Sequence, residues 1–115
     1  MSFGLDEDRI AIREMAQGFA AEHIAPHALD WDRDKTFPVE TLRAAAALGM
    51  AGIYVREDLG GSGLSRLDAT LIFEALSTGC PTVAAFLSIH NMCAWMIDAY
   101  GDDDQRRRWI PSLMG

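Results

Sequence analysis

Cysteine, lysine and positive charge are scarce in this chain of 115 residues. Its two cysteines, Cys80 and Cys93, do not make the disulfide framework of a small secreted domain. At opposite ends of one helical stretch they would stand roughly 20 Å apart, too far to bridge, so a reducing compartment is expected. Lys35 is the one lysine and nine of the ten basic residues are arginine. That usage fits a GC-rich bacterial genome and makes the bacterial cytoplasm the expected location. Ten basic against 17 acidic residues leave a net charge of -7, without the basic stripe that nucleic acid requires. The only basic cluster, Arg106-Arg107-Arg108, directly follows Asp102-Asp103-Asp104 and reads as locally compensated. The acidic start, Met1 to Asp8, has neither the basic residues nor the apolar core of a signal peptide.

No stretch shows the strict alternation of a half-buried strand, and no repeat, low-complexity tract or linker interrupts the chain. Half of the residues are hydrophobic and 23% are charged, which argues against disorder. A single domain over residues 1–115 fits the length, since a chain this size buries about two thirds of its unfolded surface. The apolar content is slightly high for so small a domain, so part of it is expected to face something outside the chain.

What is present reads as helices between well-marked turns, an all-α domain of five or six helices. From Leu5 to about Asp34, Ile12, Met15, Ala16, Phe19 and Ala20 recur at helical spacing, with a kink or break expected at Pro26. A helix follows from Pro38 to Leu48, with proline in its first turn and Gly49 as its stop. Ala51 to Val55 is a short apolar run, strand-like or irregular. Gly60-Gly61-Ser62-Gly63 is a loop, because three glycines in four residues disfavour either regular structure. Ser65 and Asp68 resemble a capping box opening a helix to about Thr78. Gly79 ends that helix, Pro81 starts the next, and Gly101 stops it after Tyr100. Asp102–Asp104 suit the start of a last helix through Trp109, with Pro111 closing it.

The stretch from Pro81 to Tyr100 is apolar nearly all round, through Val83, Phe86, Leu87, Ile89, Met92, Met96 and Ile97. Ser88, His90, Asn91 and Asp98 interrupt it too often for a membrane span, so it reads as a core helix. On it, Ala84, Ala85, Ser88 and Met92 share one face. Small residues there permit either close helix packing or an apolar slot for a ligand tail. His90 and Asn91 invite a catalytic reading, against which stands the commoner one of satisfied core or interface side chains. His23 and His27, at i and i+4, have metal-ligand spacing, but Pro26 disturbs the helix between them and no third ligand is in view. The Gly-Gly-Ser-Gly loop lacks the lysine and the strand–turn–helix setting of a phosphate cradle and reads as a turn. No Ser/His/Asp or Cys/His set emerges from spacing.

Six features in order resemble the N-terminal region of the acyl-CoA dehydrogenases. They are Phe37-Pro38 before the Ala-rich helix ending Leu48-Gly49-Met50; Leu59-Gly60-Gly61-Ser62-Gly63-Leu64; Phe73-Glu74-Ala75-Leu76; Gly79-Cys80; Tyr100-Gly101; and Asp104-Gln105-Arg106. The segment from Ser88 to Asp98 is most similar to the isobutyryl-CoA branch. The resemblance implies a parent protein that oxidises a short or branched acyl-CoA to the 2-enoyl-CoA with FAD. It implies electron-transferring flavoprotein as the electron acceptor and a homotetramer as the assembly. It also implies a middle β-domain and a C-terminal helical bundle, the latter carrying the glutamate base.

The match stops at Gly115, where the middle domain is expected. The resemblance therefore implies an N-terminal helical domain alone, with no catalytic and no FAD-binding residue of its own; Glu74 is no stand-in for the base. The family role of such a domain is to close the active site and line the acyl-tail pocket. The tail-lining positions fall on Ala84, Ala85, Ser88 and Met92. Medium-chain members place a carboxylate where Ser88 stands, and Met92 with Phe86 would shorten the slot for a branched acyl group. The competing readings are a free-standing helical interaction module without catalysis, and the N-terminal domain of a related flavin monooxygenase or nitroalkane oxidase.

Overall fold

Most of the helices begin or end where a local signal stands. The computed structural model describes residues 6–115, so the first five residues of the acidic start, Met1 to Asp8, and the expected helix start at Leu5 lie outside the described residues. Helix α1, Glu7–Phe19, is capped by Asp6, whose carboxylate accepts from the Arg9 N–H at 2.9 Å. Glu7 and Asp8 in its first turn complement the helix dipole. The helix then widens into a π turn, Ala20–Ile24, in which Ala25 N–H reaches back to Ala20 O at 2.8 Å. A turn over 25–27 carries Pro26, the expected break, and α2 runs Ala28–Asp34. The π turn itself was not foreseen; it lies just before the proline, whose ring and missing N–H disrupt the regular ladder.

Helix α3, Val39–Ala47, is followed by Gly49 at φ 87°. Residues 48–64 form an irregular connector with one short 3-10 turn, Glu57–Leu59. Ala51–Val55 is thus the irregular alternative, not a strand, yet Ala51, Ile53 and Val55 are fully or nearly fully buried. Helix α4, Arg66–Ser77, opens on the expected capping box. Ser65 Oγ accepts from the Asp68 N–H, and Asp68 accepts from the Ser65 N–H at 2.9 Å. At Gly79 a Cβ would stand 2.9 Å from Ile24 Cγ2, so the turn into α5 presses on the π turn.

Helix α5, Pro81–Tyr100, has the expected bounds. Helix α6, Asp103–Met114, does not: it runs through Pro111 instead of ending there. Proline costs one hydrogen bond in the interior of a helix. Here the last turn is held by packing of Leu113 and Met114 against Val55, Ala94 and Ile110.

Among the described residues there are six α-helices and no strand. The main core joins α1, the π turn, the connector, α4 and the first half of α5. Alanines at 16, 20, 45, 69, 75 and 84 let the helices approach closely. The molecule is a slab of 44 × 41 × 17 Å with a radius of gyration of 14.6 Å. Its short axis is less than two helix diameters of about 10 Å. A slab this thin cannot bury both sides of its longest helix.

Candidate functional site

The face that α5 turns inward carries Val83, Ala84, Leu87, Asn91, Ala94 and Asp98. Asn91 is 0% exposed and spends its amide on backbone. Its Oδ1 accepts from the Ile53 N–H at 2.7 Å, and its Nδ2 donates to Met50 O and Leu87 O, each at 2.8 Å. Two turns on, Asp98 accepts from the Arg56 N–H at 3.1 Å and from Arg106 Nη2 at 2.8 Å. Arg56 also donates through its guanidinium to the Asp98 carboxylate and carbonyl. Arg106 continues to Asp58 at 2.8 Å. His90, half-buried at the edge of this face, bonds through Nε2 to Leu113 O at 2.8 Å. Together these polar groups fasten the irregular connector and the end of α6 to α5. None of them is set toward a reacting centre, and the bland reading of His90 and Asn91 is the one the contacts support.

Burial pushes the Asp98 carboxyl up, but the hydrogen bonds from Arg56 and Arg106 outweigh it and hold the group below its usual range. The Arg106 hydrogen bond lowers Asp58 as well, and Asp58 and Asp98 in turn raise Arg106. Arg106 is therefore compensated from inside the fold. Within 4 Å among the described residues it meets Asp58 and Asp98, not the adjacent Asp102–Asp104 run. This corrects the expected local compensation, and its reason is geometric. Asp102 turns back to cap α6, accepting from the Gln105 N–H at 2.8 Å, while Arg106 points into the slab.

The outward face of α5 is apolar: Phe86, Ile89, Met92, Met96 and Tyr100 are all exposed, Met92 at 47% and Tyr100 at 78%. The expectation of a helix buried all round is therefore half right. At about 100° per residue, positions 84, 88, 92 and 85 span an arc of about 100°. That arc crosses from the buried to the exposed face. Ala84 is buried in the main core, Ser88 is half-buried, and Ala85 and Met92 are exposed. The four share a ridge of small and flexible side chains, although Ala84 is committed to helix packing. None of them lines a groove beside α5, neither the one at its start, lined by Thr82 and Val83, nor the two further along it. One groove, of about 390 Å³, runs between Met96, Tyr100 and Trp109. The other, of about 230 Å³, lies between Phe37, Leu42, Phe86 and Leu113.

The Gly-Gly-Ser-Gly loop is folded onto its own chain. The N–H groups of Gly61, Ser62, Gly63 and Leu64 donate to the carbonyls of Arg56, Gly52, Val55 and Ile53 at 2.8–3.2 Å. A Cβ at Gly61 would lie 2.2 Å from Val55 O. With these amides committed, the loop offers no cradle for the pyrophosphate of a dinucleotide such as FAD. His23 and His27 face aromatic neighbours, Phe19 and Trp31, at ring distances of 4.9 and 5.7 Å. Cys80 stands at the N-cap position of α5 without a capping hydrogen bond from its side chain, Cys93 lies on the helix's outward side, and both thiols are free.

The sequence reading passed over Asn91 and Asp98 as fastening points. A signal was present: they stand seven residues apart on one face of an otherwise apolar helix. It also passed over the seat of Arg66, whose guanidinium lies 4.5 Å from the Trp95 ring centre and 4.9 Å from that of Tyr54.

A family model described as the acyl-CoA dehydrogenase N-terminal domain matches residues 6–115. The chain is 52% identical over 112 residues to the mitochondrial isobutyryl-CoA dehydrogenase of Bos taurus, covering 97% of this chain and 27% of that protein. It is 53% identical over 113 residues to the corresponding mitochondrial enzyme of Dictyostelium discoideum, covering 98% of this chain and again 27% of that protein. The chain thus spans about a quarter of the length of these relatives. Among solved structures, a glutaryl-coenzyme A dehydrogenase in complex with glutaryl-CoA superposes with a TM-score of 0.93 at 27% identity, over 99% of this chain and 30% of that one. PigA with FAD and proline superposes with a TM-score of 0.91 at 29% identity, over 99% of this chain and 30% of that one. The two relatives at just over half identity, both mitochondrial and eukaryotic, correct the expectation of a bacterial cytoplasmic protein. The preference for arginine over lysine carries no address. No helix among the described residues is long and apolar enough to cross a membrane.

Proposed function

Because the chain belongs to the acyl-CoA dehydrogenase N-terminal domain family, we propose that it serves a flavoprotein that dehydrogenates a short, branched acyl-CoA. In this reading the outward face of α5 closes the active site, and the ridge of Ala84, Ala85, Ser88 and Met92 lines the acyl tail. The identity of just over half to two isobutyryl-CoA dehydrogenases, along nearly the whole chain, is the observation that carries it. The apolar outward face of α5 supports it, since an exposed row of large side chains on a thin slab calls for a cover.

In this reading FAD in the parent protein is held by segments outside this chain; the amides of the Gly-Gly-Ser-Gly loop, already committed to the chain's own carbonyls, support it. The flavin supplies hydride acceptance when bound; this domain contributes shape and exclusion of water. Electron-transferring flavoprotein as acceptor and a homotetrameric parent complete the proposal. The matching 30% of PigA with FAD and proline has the same fold as this chain. The identity to the isobutyryl-CoA enzymes favours acyl-CoA oxidation over a monooxygenase or nitroalkane oxidase, and over a free-standing interaction module.

The test is a chimera in which this chain replaces the matching quarter of the Dictyostelium discoideum enzyme. The expected result is a yellow protein that oxidises isobutyryl-CoA, while the 115-residue chain alone is colourless and inactive. A chimera that folds and binds flavin yet leaves isobutyryl-CoA unchanged overturns the proposal.

A further inference from the structure

Trp95 stands beside the acyl-tail ridge and lines none of the grooves along α5. It is half-buried, three residues after Met92 and seven after Ser88. At about 100° per residue it lies roughly 20° round the helix from Ser88 and about 10 Å further along the axis. Met92 and Trp95, three apart, are neighbours on the helix surface. The line through Ala84, Ser88 and Met92 therefore meets an indole at its C-terminal end. Three side chains hold that indole. The Arg66 guanidinium lies 4.5 Å from its ring centre and 4.9 Å from that of Tyr54. Tyr54 and Tyr100 meet it edge to face, at ring distances of 6.5 and 5.7 Å. Arg66 is the first residue of α4, and the Ser65–Asp68 capping box fixes the backbone on which it stands. Acids outnumber bases 17 to 10, and Arg9, Arg33, Arg43, Arg56 and Arg106 each lie within 4 Å of a carboxylate. Arg66 meets no carboxylate within that distance among the described residues, and its charge rests on the two rings.

We propose that Trp95 is the end wall of the acyl-tail slot, a specificity-determining residue that stops tails longer than a short, branched one, and that Arg66 is its positioning residue. The inference rests on the acyl-CoA reading above and adds to it the side chain that sets the length of the slot. A wall discriminates between tails only if it cannot swing aside, because a methylene that finds room is accommodated at little cost. Met92, unbranched and flexible, yields to a longer tail. The indole does not, since one face is covered by the guanidinium and two rings abut it. Arg66 touches no ridge residue and acts through Trp95 alone.

The test is the ratio of kcat/KM for hexanoyl-CoA to that for isobutyryl-CoA in the flavin-loaded chimera, with melting temperature and bound flavin to confirm the fold. Trp95→Ala should raise the ratio by about tenfold or more. Trp95→Phe should raise it by less, and it carries the test alone where Trp95→Ala does not fold. Arg66→Gln should raise the ratio by a smaller factor still. In the Trp95→Ala background Arg66→Gln should move the ratio no further, because the residue it positions is gone. An arginine with a structural role only would lower the melting temperature and leave the ratio where it was. A ratio unmoved by the Trp95 variants, in a folded chimera that oxidises isobutyryl-CoA, overturns the inference and leaves the acyl-CoA reading standing. An Arg66→Gln effect that persists in full without Trp95 overturns the positioning role. A flavin-loaded chimera that leaves isobutyryl-CoA unchanged overturns the acyl-CoA reading, and this inference falls with it.

Discussion

The two sides of α5 depart from the usual arrangement of a surface helix: two polar groups sit among Val83, Ala84, Leu87 and Ala94 on the buried side, while the open side is apolar. Its buried side holds the polar groups Asn91 and Asp98, and its open side holds Phe86, Ile89, Met92, Met96 and Tyr100. Burial of polar side chains is tolerated because every bond they need is made: three by Asn91 to backbone, and those of Asp98 to two arginines. The connector they hold bonds only part of its backbone within itself, and these side chains supply partners for the Ile53 and Arg56 N–H groups and the Met50 carbonyl. The difference teaches a division of labour. The polar side fixes the position of the helix, and the apolar side is left for what binds on it.

The largest expected effect lies on the polar side. Asn91→Ala strands the Ile53 N–H and the Met50 carbonyl in the core and should cost about 3 kcal/mol in urea unfolding. Met92→Ala, the next residue but on the open side, should change stability by less than about 0.5 kcal/mol. Comparable costs for the two would break the comparison. Gly61→Ala comes next, at about 2–3 kcal/mol, because its methyl group meets the backbone carbonyl of Val55.

Acid sharpens the contrast further. Asp98 and Asp58 both titrate below their usual values in the folded chain. Their contribution is complete above the unfolded pKa of about 4 and is lost as the pH falls through the depressed folded values. Thermal melts of the parent chain should decline over that acid window, and Asp98→Asn should flatten the decline from a lower starting point. A smaller cost than either core change belongs to Arg66→Gln at the aromatic seat, about 0.5–1 kcal/mol, as for an exposed cation on a ring.

Much of this fold is legible in the sequence because its boundaries are chemical and local. Asp68 in the capping box, Pro26 at the break, and Gly49, Gly79 and Gly101 as stops each act within a few residues. The parts that were not legible depend on partners far along the chain. Pro111 suggests an end to α6, but Leu113 and Met114 are held by Val55 and Ala94, residues that no local pattern ties to them. Arg106 suggests pairing with its neighbours, but meets Asp58 and Asp98 once the connector folds over. The composition of α5 announces burial without saying on which side, since hydrophobicity has no direction until a neighbour is placed. Of the candidate ridge, the shared face of Ala84, Ala85, Ser88 and Met92 follows from helical spacing. Its position across the margin of the core follows only from the thinness of the slab.

The division of labour on α5 is tested most directly by a pair of substitutions in the chimera, read for melting temperature and for KM toward isobutyryl-CoA. Ala85→Phe, which fills the proposed slot from the open side, should leave the melting temperature and bound flavin unchanged and raise KM by about tenfold or more. Asn91→Ala should lower the melting temperature and leave the KM of the enzyme that remains folded close to that of the parent chimera. The account is contradicted if Ala85→Phe leaves KM where it was with the fold and flavin intact.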